Sequence, residues 1–345
     1  MLSEQEIQQF RRDLLDWFDR YRRDLPWRRT RDPYAIWISE IMLQQTRVAA
    51  VTPFYERFLK RFPDFQILAE APEPELLSSW AGLGYYHRAR NLQRAAIQMR
   101  DRGAFPHTYH EIRALPGIGE YTAAAVASIA FGLPHAAVDG NVSRVASRIF
   151  NDETDIASAA GRKHFQVLAD RLLDRLRPGA FNQAMMELGA TACLPKKPRC
   201  LVCPISQICE SRKKATQEQR PMKKAGAKNV QEERVVFWIA EGGRILAWRR
   251  PADSRLMPGF WELPEPSQLP SASVGQRLGA FRHGITFHNY RFELHEAAAP
   301  RDLGPCEWVA MDALATMPVS TVLRKARRVV EKTRSATVRS STASV

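Results

Sequence analysis

Apolar residues in the first two hundred positions recur at helical spacing. Val48, Val51, Tyr55, Phe58, Leu59 and Phe62 fall three and four apart, which lines one face of a helix, and Pro63 closes the pattern. Residues 120–131, EYTAAAVASIAF, are Ala-rich and predict a buried helix that stops at Gly132. Residues 162–176 repeat the amphipathic pattern, and short turns such as Ala-Gly-Leu-Gly and Leu-Pro-Gly-Ile-Gly join the pieces. The pattern then lapses. SRKKATQEQRPMKKAGAKNV, at 211–230, has almost no apolar content and predicts a solvated linker. Beyond it, VVFWIAEGGRILAWRR carries two β-rich runs around Gly242-Gly243, a hairpin signal, and GITFHNYRFELHEA predicts a strand. The last residues, TRSATVRSSTASV, predict a frayed polar tail. The expected organisation is a mainly helical domain over 1–210, a basic linker over 211–230, a smaller α/β domain over 231–327 and a basic polar tail over 328–345.

Composition adds a partner. The chain has 345 residues, of which 45% are hydrophobic and 26% charged, which excludes wholesale disorder and collagen-like structure. A net charge of +14 points to a polyanion, most simply nucleic acid. The charge is uneven. Residues 1–210 carry +4 and residues 231–320 carry −2, whereas 211–230 and 321–345 carry +6 each. The two short basic segments are expected to add salt-sensitive, non-specific affinity rather than a specific docking face. No apolar run approaches the roughly 18–20 residues needed to span a bilayer, and the N-terminus lacks a basic start followed by an apolar core. A cytoplasmic, nucleoid-associated protein without a membrane partner is therefore expected.

Four of the five cysteines, Cys193, Cys200, Cys203 and Cys209, follow the spacing C-x6-C-x2-C-x5-C. Thiolates this close in an intracellular chain bind metal more readily than they pair. Zinc would take the four tetrahedrally, and an iron–sulfur cluster would take them equally well; the spacing does not choose. Lys196, Lys197 and Arg199 fall in the first loop between ligands, where three cations suit contact with phosphates. Cys306 stands apart and reads as a buried or idle thiol.

Leu115-Pro-Gly-Ile-Gly119 precedes the Ala-rich helix. Gly117 and Gly119 permit a tight turn, and backbone N–H groups at a helix N-terminus bind phosphate without side-chain charge. LPGIGEYTAAAV is followed by VDGNVSRV at 138–145 and then by the cysteine cluster. This order resembles the helix–hairpin–helix DNA glycosylase superfamily of the endonuclease III type. LPWR at 25–28, DPYAIWISEIMLQQTRV at 32–48 and GLGYYHRARNL at 82–92 narrow the resemblance to the adenine DNA glycosylase family of the MutY type. LMPGFWELP at 256–264 resembles that family's C-terminal domain, which is related to Nudix hydrolases. No complete Nudix box is present, so nucleotide hydrolysis is not expected there.

The resemblance implies one 4Fe–4S cluster on the four cysteines and double-stranded DNA containing an adenine mismatch as the partner of a monomeric enzyme. Its substrate would be adenine opposite 8-oxoguanine or guanine. The superfamily's lyases carry a Schiff-base Lys two residues after the second hairpin glycine. Tyr121 stands there, which implies a monofunctional glycosylase. Glu40, in the apolar context Trp37-Ile-Ser-Glu-Ile-Met-Leu43, is expected to have a raised pKa and to act as general acid at adenine N7. Asp139 is expected to stabilise the oxocarbenium-like sugar, with Tyr121 and Asn141 orienting the two carboxyls. By the same resemblance Arg23, Leu25, Trp27, Arg28 and Gln183 wall the adenine pocket. Gln45 and Tyr85 fill or wedge the duplex, with Thr46 and Leu83 flanking them. In the family a Phe-Ser-His-type loop reads the opposite base. Here Ile285-Thr286-Phe287 replaces that triplet, so Thr286 would supply the hydroxyl and His288, one residue late, the imidazole. A thymine or uracil mismatch glycosylase and a non-catalytic DNA-binding iron–sulfur protein are the competing readings. The pairing of Glu40 with Asp139 argues against the latter.

Overall fold

Ser3 opens the first helix, α1 (Glu4–Tyr21), with a reciprocal cap. Its hydroxyl accepts the Glu6 N–H, and the Glu6 carboxylate accepts the Ser3 N–H. α1 buries Ile7, Phe10, Leu14 and Phe18 along one face. In the computed structural model, which describes residues 2–223, 230–251, 253–254, 257–285, 288–315 and 317–342, the chain forms two compact units. The first comprises Met1–Ala71 and Arg88–Ala225; the second comprises Pro72–His87 and Gly226–Val345.

In the first unit, α2 (Pro33–Leu43) starts with Asp32 capping the Tyr34 and Ala35 N–H groups and Pro33 at the first helical position. Every residue from Tyr34 to Met42 is buried, so α2 runs through the interior. α3 (Val48–Arg61) buries Val51, Tyr55 and Phe58, the face expected from spacing. α4 (Phe65–Glu70) leads out of the unit to α5 (Glu73–Ser79), and α6 (His87–Arg102) returns to it. α7 (Tyr109–Ala114) and α8 (Glu120–Phe131) form the hairpin pair, with Gly132 as a left-handed C-cap. α9 (Gly140–Phe150), α10 (Ala159–Leu172), α11 (Pro178–Thr191) and the short α12 (Glu210–Lys213) complete it. Phe10, Phe18, Val145, Phe181 and Leu188 share its core.

The second unit holds two sheets. β1 (Val230–Trp238) runs parallel to β6 (His288–Glu296), which pairs antiparallel with β5 (Arg277–Ile285). β2 (Ala240–Glu241), β3 (Arg244–Arg249) and β4 (Trp261–Glu262) form the other, with β7 (Cys306–Ala310) on β3. α13 (Thr321–Thr342) packs on β5, where Lys325 Nζ donates to the Arg282 carbonyl at 2.8 Å. Val236, Ile245, Leu294, Leu323 and Ala326 form the core, and Cys306 is buried, as its isolation suggested. Among the described residues no helix is long and apolar enough to cross a membrane.

Five expectations differ from what folds. The helix expected over 162–176 ends at Leu172. Asp174 Oδ1 accepts the N–H groups of Leu176 and Arg177, a local turn that competes with further helix, and Leu176 is 94% exposed. The described part of the expected linker is folded rather than solvated. Ser211 and Arg220 are buried, Thr216 Oγ1 donates to Asn151 Oδ1 at 2.6 Å, and the Arg220 carbonyl accepts from Arg148 Nε at 3.0 Å. These anchors are polar and point to backbone or to the left-handed Asn151, so no apolar periodicity marks them. The Gly242-Gly243 hairpin forms, both glycines having positive φ, but it spans only β2 and β3; the run before it crosses to the other sheet as β1. GITFHNYRFELHEA is two strands, since Ile285 pairs with His288 across residues 286–287. The expected tail continues as α13 to Thr342, and Ala326 and Val330 are buried on its way.

Candidate active site

A cleft in the first unit is lined by Arg23, Leu25, Trp27, Arg28, Glu40, Gln45, Thr46, Tyr121, Asp139, Asn141 and Gln183. Nine residues expected to act on adenine or wall its pocket, with Gln45 and Thr46 expected at the duplex, thus converge from six stretches of chain. Glu40 is delivered by α2, on the side of the helix that faces α8, and is 5% exposed. Tyr121, in the first turn of α8, donates its hydroxyl to Glu40 Oε2 at 2.7 Å and lies 3.3 Å from Met186 Sδ. Burial pushes the Glu40 carboxyl up to about 7; the Asp139 charge adds to the rise, while the Tyr121 hydrogen bond and the Arg28 charge oppose it. A buried acid that keeps its proton near neutrality, facing a carboxylate, is the pairing that general-acid cleavage of a glycosidic bond requires.

Asp139 is the N-cap of α9. Its Oδ1 accepts the Val142 N–H at 2.7 Å and its Oδ2 accepts from Asn141 Nδ2 at 2.9 Å. Asn141 is held in turn, because Arg144 Nη2 donates to its Oδ1 at 2.8 Å and to the Gly189 carbonyl at 2.8 Å. Arg144 Nε donates to the Cys193 carbonyl at 2.9 Å, which ties α9 to the first cysteine.

The far wall rests on Glu187. Arg23 meets its carboxylate through Nε and Nη2, both at 2.7 Å, and Arg28 through Nη2 at 2.8 Å. Burial pushes Glu187 up, but the hydrogen bonds from Arg23 and Arg28 outweigh it and hold the carboxyl at about 2. Trp27 stacks edge-on against Tyr55 at 5.4 Å, and Gln183 Nε2 donates to the Gly179 carbonyl. Glu187 and Arg144 escaped sequence reading. Their signal was weak but present: each is the lone charge of its helical run, MMELGA and NVSRVAS.

Gln45 lines the exposed edge of the cleft, and the remaining predicted residues lie elsewhere. Gln45 is exposed with φ 58°, at a turn held by Arg88, whose Nη1 donates to the carbonyls of Ile41 and Gln44 at 2.7 and 2.6 Å. Gly117 (φ 77°) sits in the hairpin turn that carries Tyr121 into the cleft, and a Cβ there would lie 2.6 Å from Asn91 Cβ. Gly119 caps α8 with no side-chain hydrogen bond, and a Cβ on it would meet open space. Gly117→Ala is expected to cost about 1–3 kcal/mol of stability and to weaken DNA binding, measured by thermal melting and duplex titration. Leu83 and Tyr85 belong to the second unit; Leu83 is buried, and Tyr85 is 45% exposed with φ 48°. Thr286 lies outside the described residues. His288 is engaged within its sheet, since its Nδ1 meets Glu232 Oε1 and its ring stacks on Tyr290 at 5.7 Å.

Cys193, Cys200, Cys203 and Cys209 line one cavity with Arg148 and Arg212. The fully buried Arg148 donates from Nη1 to Cys193 Sγ at 3.2 Å and to the Leu194 carbonyl at 2.6 Å. Among the described residues no three Cys, His, Asp or Glu side chains are arranged to hold a single metal ion.

Residues 38–170 match the model of the HhH-GPD superfamily base excision DNA repair protein. The adenine DNA glycosylase of Homo sapiens is 34% identical over 94% of this chain and 74% of its own length. The chain belongs to the adenine DNA glycosylase family. A DNA glycosylase of this family hydrolyses N-glycosidic bonds in base excision repair, and the convergence of Glu40, Tyr121 and Asp139 in one cleft accords with that chemistry. Among solved structures, a thermostable thymine-DNA glycosylase superposes with a TM-score of 0.56 at 32% identity, covering 61% of this chain and 98% of its own. Endonuclease III in a non-covalent DNA complex superposes with a TM-score of 0.53 at 25% identity, covering 63% and 100%. Both coverages are of the extent of the helical unit, whereas the adenine DNA glycosylase match runs on into the α/β unit.

Proposed function

We propose that this adenine DNA glycosylase acts on adenine paired with 8-oxoguanine or guanine, with Glu40 as general acid and Asp139 as the group that stabilises the sugar cation. The observation that carries this reading is the buried Glu40, hydrogen-bonded by Tyr121 and sharing its cleft with Asp139. Adenine leaves the duplex and enters the pocket walled by Leu25, Trp27, Arg28 and Gln183. Glu40 gives its proton to the leaving base. Positive charge then grows on the sugar, and the Asp139 carboxylate, held by Val142 and Asn141, faces it. Gln45 and Tyr85, both left-handed and exposed, suit insertion into the stack. The backbone N–H groups around Gly117 and Gly119 suit a phosphate. The α/β unit, Nudix-like by its LMPGFWELP segment, reads the opposite base through the β5–β6 hairpin, with Thr286 and His288 as candidates. The enzyme is proposed to act as a monomer on double-stranded DNA, in the cytoplasm.

The cysteine cavity suits a 4Fe–4S cluster. Four cysteine sulfurs line one cavity, the donor set such a cluster takes, and Arg148 Nη1 donates to one of them, Cys193 Sγ. When bound, the cluster would cross-link residues 193–209 and hold Lys196, Lys197 and Arg199 toward DNA. The purified protein is expected to contain about four iron and four sulfide per chain; stoichiometric zinc without iron would refute the assignment. The reading of the substrate is tested by single-turnover base release from duplexes with adenine, thymine or uracil opposite 8-oxoguanine and guanine. Release of adenine alone is expected. Because a thymine-DNA glycosylase shares the helical fold, thymine release is the outcome that would replace this reading.

A further inference from the structure

The segment that carries Leu83 and Tyr85 interrupts the helical unit in sequence, yet it folds as part of the α/β unit. The reason lies in the residue between the exposed Tyr85 and the start of α6. Tyr86 is buried, and its ring meets that of Phe260 with centroids 4.2 Å apart. Burial pushes its hydroxyl up, and the charge of Arg324, from the first turn of α13, opposes that rise. Phe260 is itself fully buried and fixed at both ends of its backbone. Its N–H donates to the Met257 carbonyl at 3.2 Å, and its carbonyl accepts the Arg250 N–H at 2.9 Å. Residue 86 is thus anchored on two elements that lie more than 170 positions away in sequence.

The loop itself is wound tightly. Trp80 Nε1 donates to the Gly84 carbonyl at 3.0 Å, the Leu83 N–H donates to the Trp80 carbonyl at 3.2 Å, and Gly82, Gly84 and Tyr85 all have positive φ. A non-glycine residue in the left-handed region costs free energy and persists only where its surroundings enforce it. The residue next to Tyr85 in the chain, Tyr86, is the one packed on Phe260.

We propose that Tyr86, Phe260 and Arg324 are positioning residues that make the α/β unit the holder of the Tyr85 wedge, so that the unit reading the opposite base also aims the side chain that opens the stack. The proposal rests on the wedge reading of Tyr85 given above. Phe260 acts through Tyr86 and touches no base. Its aromatic face sets the direction of the exposed ring next to it, and Arg324 adds a polar latch from α13.

The test uses the full chain carrying Glu40→Gln, so that binding is seen without excision, and a duplex with adenine opposite 8-oxoguanine and 2-aminopurine beside the pair. Opening of the stack raises the 2-aminopurine fluorescence. At saturating protein, Phe260→Ala and Tyr86→Ala are each expected to cut that rise at least fivefold. Tyr86→Phe, which keeps the ring and drops the hydroxyl, is expected to retain more than half of it. Arg324→Met, at a half-buried site that tolerates the change, is expected to reduce it two- to threefold with an unaltered melting profile. A Phe260→Ala or Arg324→Met protein that opens the stack as fully as its parent overturns the proposal. If Tyr85→Ala also opens it fully, the wedge reading has failed first. If Tyr85→Ala abolishes the signal while the other variants do not change it, only the anchoring role is wrong.

Discussion

Replacing Glu40 with glutamine is expected to slow adenine release by at least about 10³-fold, at the upper end of what a positioned general acid contributes, while duplex binding changes less than about threefold. The isosteric amide still accepts the Tyr121 hydroxyl and fills the same buried volume, so the fold and the pocket stay intact and only the transferable proton is lost. In the unsubstituted protein, single-turnover release should be level at acid pH and fall tenfold per pH unit above about 7, where Glu40 loses its proton. The groups facing it are Tyr121, Asp139 and Arg28. A variant that still releases adenine, or a rate that rises through pH 8, would remove Glu40 from the role.

The same carboxyl carries a stability signature of defined sign. Its pKa is higher in the folded chain, about 7, than the ordinary value of 4.5. The folded state therefore holds the proton more tightly, and stability falls as pH rises from about 4.5 through 7. Glu40→Gln removes that penalty. The variant should melt with the parent at pH 4.5 and above it at pH 8, by at most about 3 kcal/mol at 1.36 kcal/mol per pKa unit. Equal melting temperatures at both pH values would mean that burial does not raise this group.

Replacing Glu187 is expected to have the largest effect on stability. Its side chain is 1% exposed and joins Arg23 and the mostly buried Arg28. Removing one partner of a buried pair leaves charge uncompensated, at a cost of about 3–5 kcal/mol. Glu187→Gln should therefore lower urea stability by about that amount at pH 7, and because Arg23 and Arg28 wall the pocket, it should also weaken substrate binding. Here the pKa is depressed to about 2, so the contribution is present above 4.5 and fades as pH falls toward 2. The difference between parent and variant should shrink at pH 3. A constant difference from pH 7 to pH 3 would show that shape and not charge holds this wall.

What the sequence determined was local and periodic. The three- and four-residue spacing of Val51, Tyr55 and Phe58 set α3, Ala-rich packing with Gly132 set α8, and Gly242-Gly243 set a left-handed turn. Glu40 could be read as a raised acid because its flanks, Trp37 to Leu43, are apolar, and burial follows from the flanks alone. The cysteine spacing was likewise visible as text. Only tertiary structure decided the partners of those groups. The Tyr121 hydroxyl reaches Glu40 across 81 positions, and Glu187 gathers two arginines from 159 and 164 positions away. The polar segment at 211–223 folds by hydrogen bonds to backbone and to Asn151, which leave no hydrophobic pattern to read. The β5–β6 pair looked like one strand because the sequence alternation continues without a break from Ile285 to His288. Pro72–His87 was assigned to the helical domain by its place in the chain, yet it folds with the α/β unit, because a buried aromatic goes where another aromatic, Phe260, completes its packing. Periodicity reports which face of an element is buried. It carries no information about which distant surface buries it.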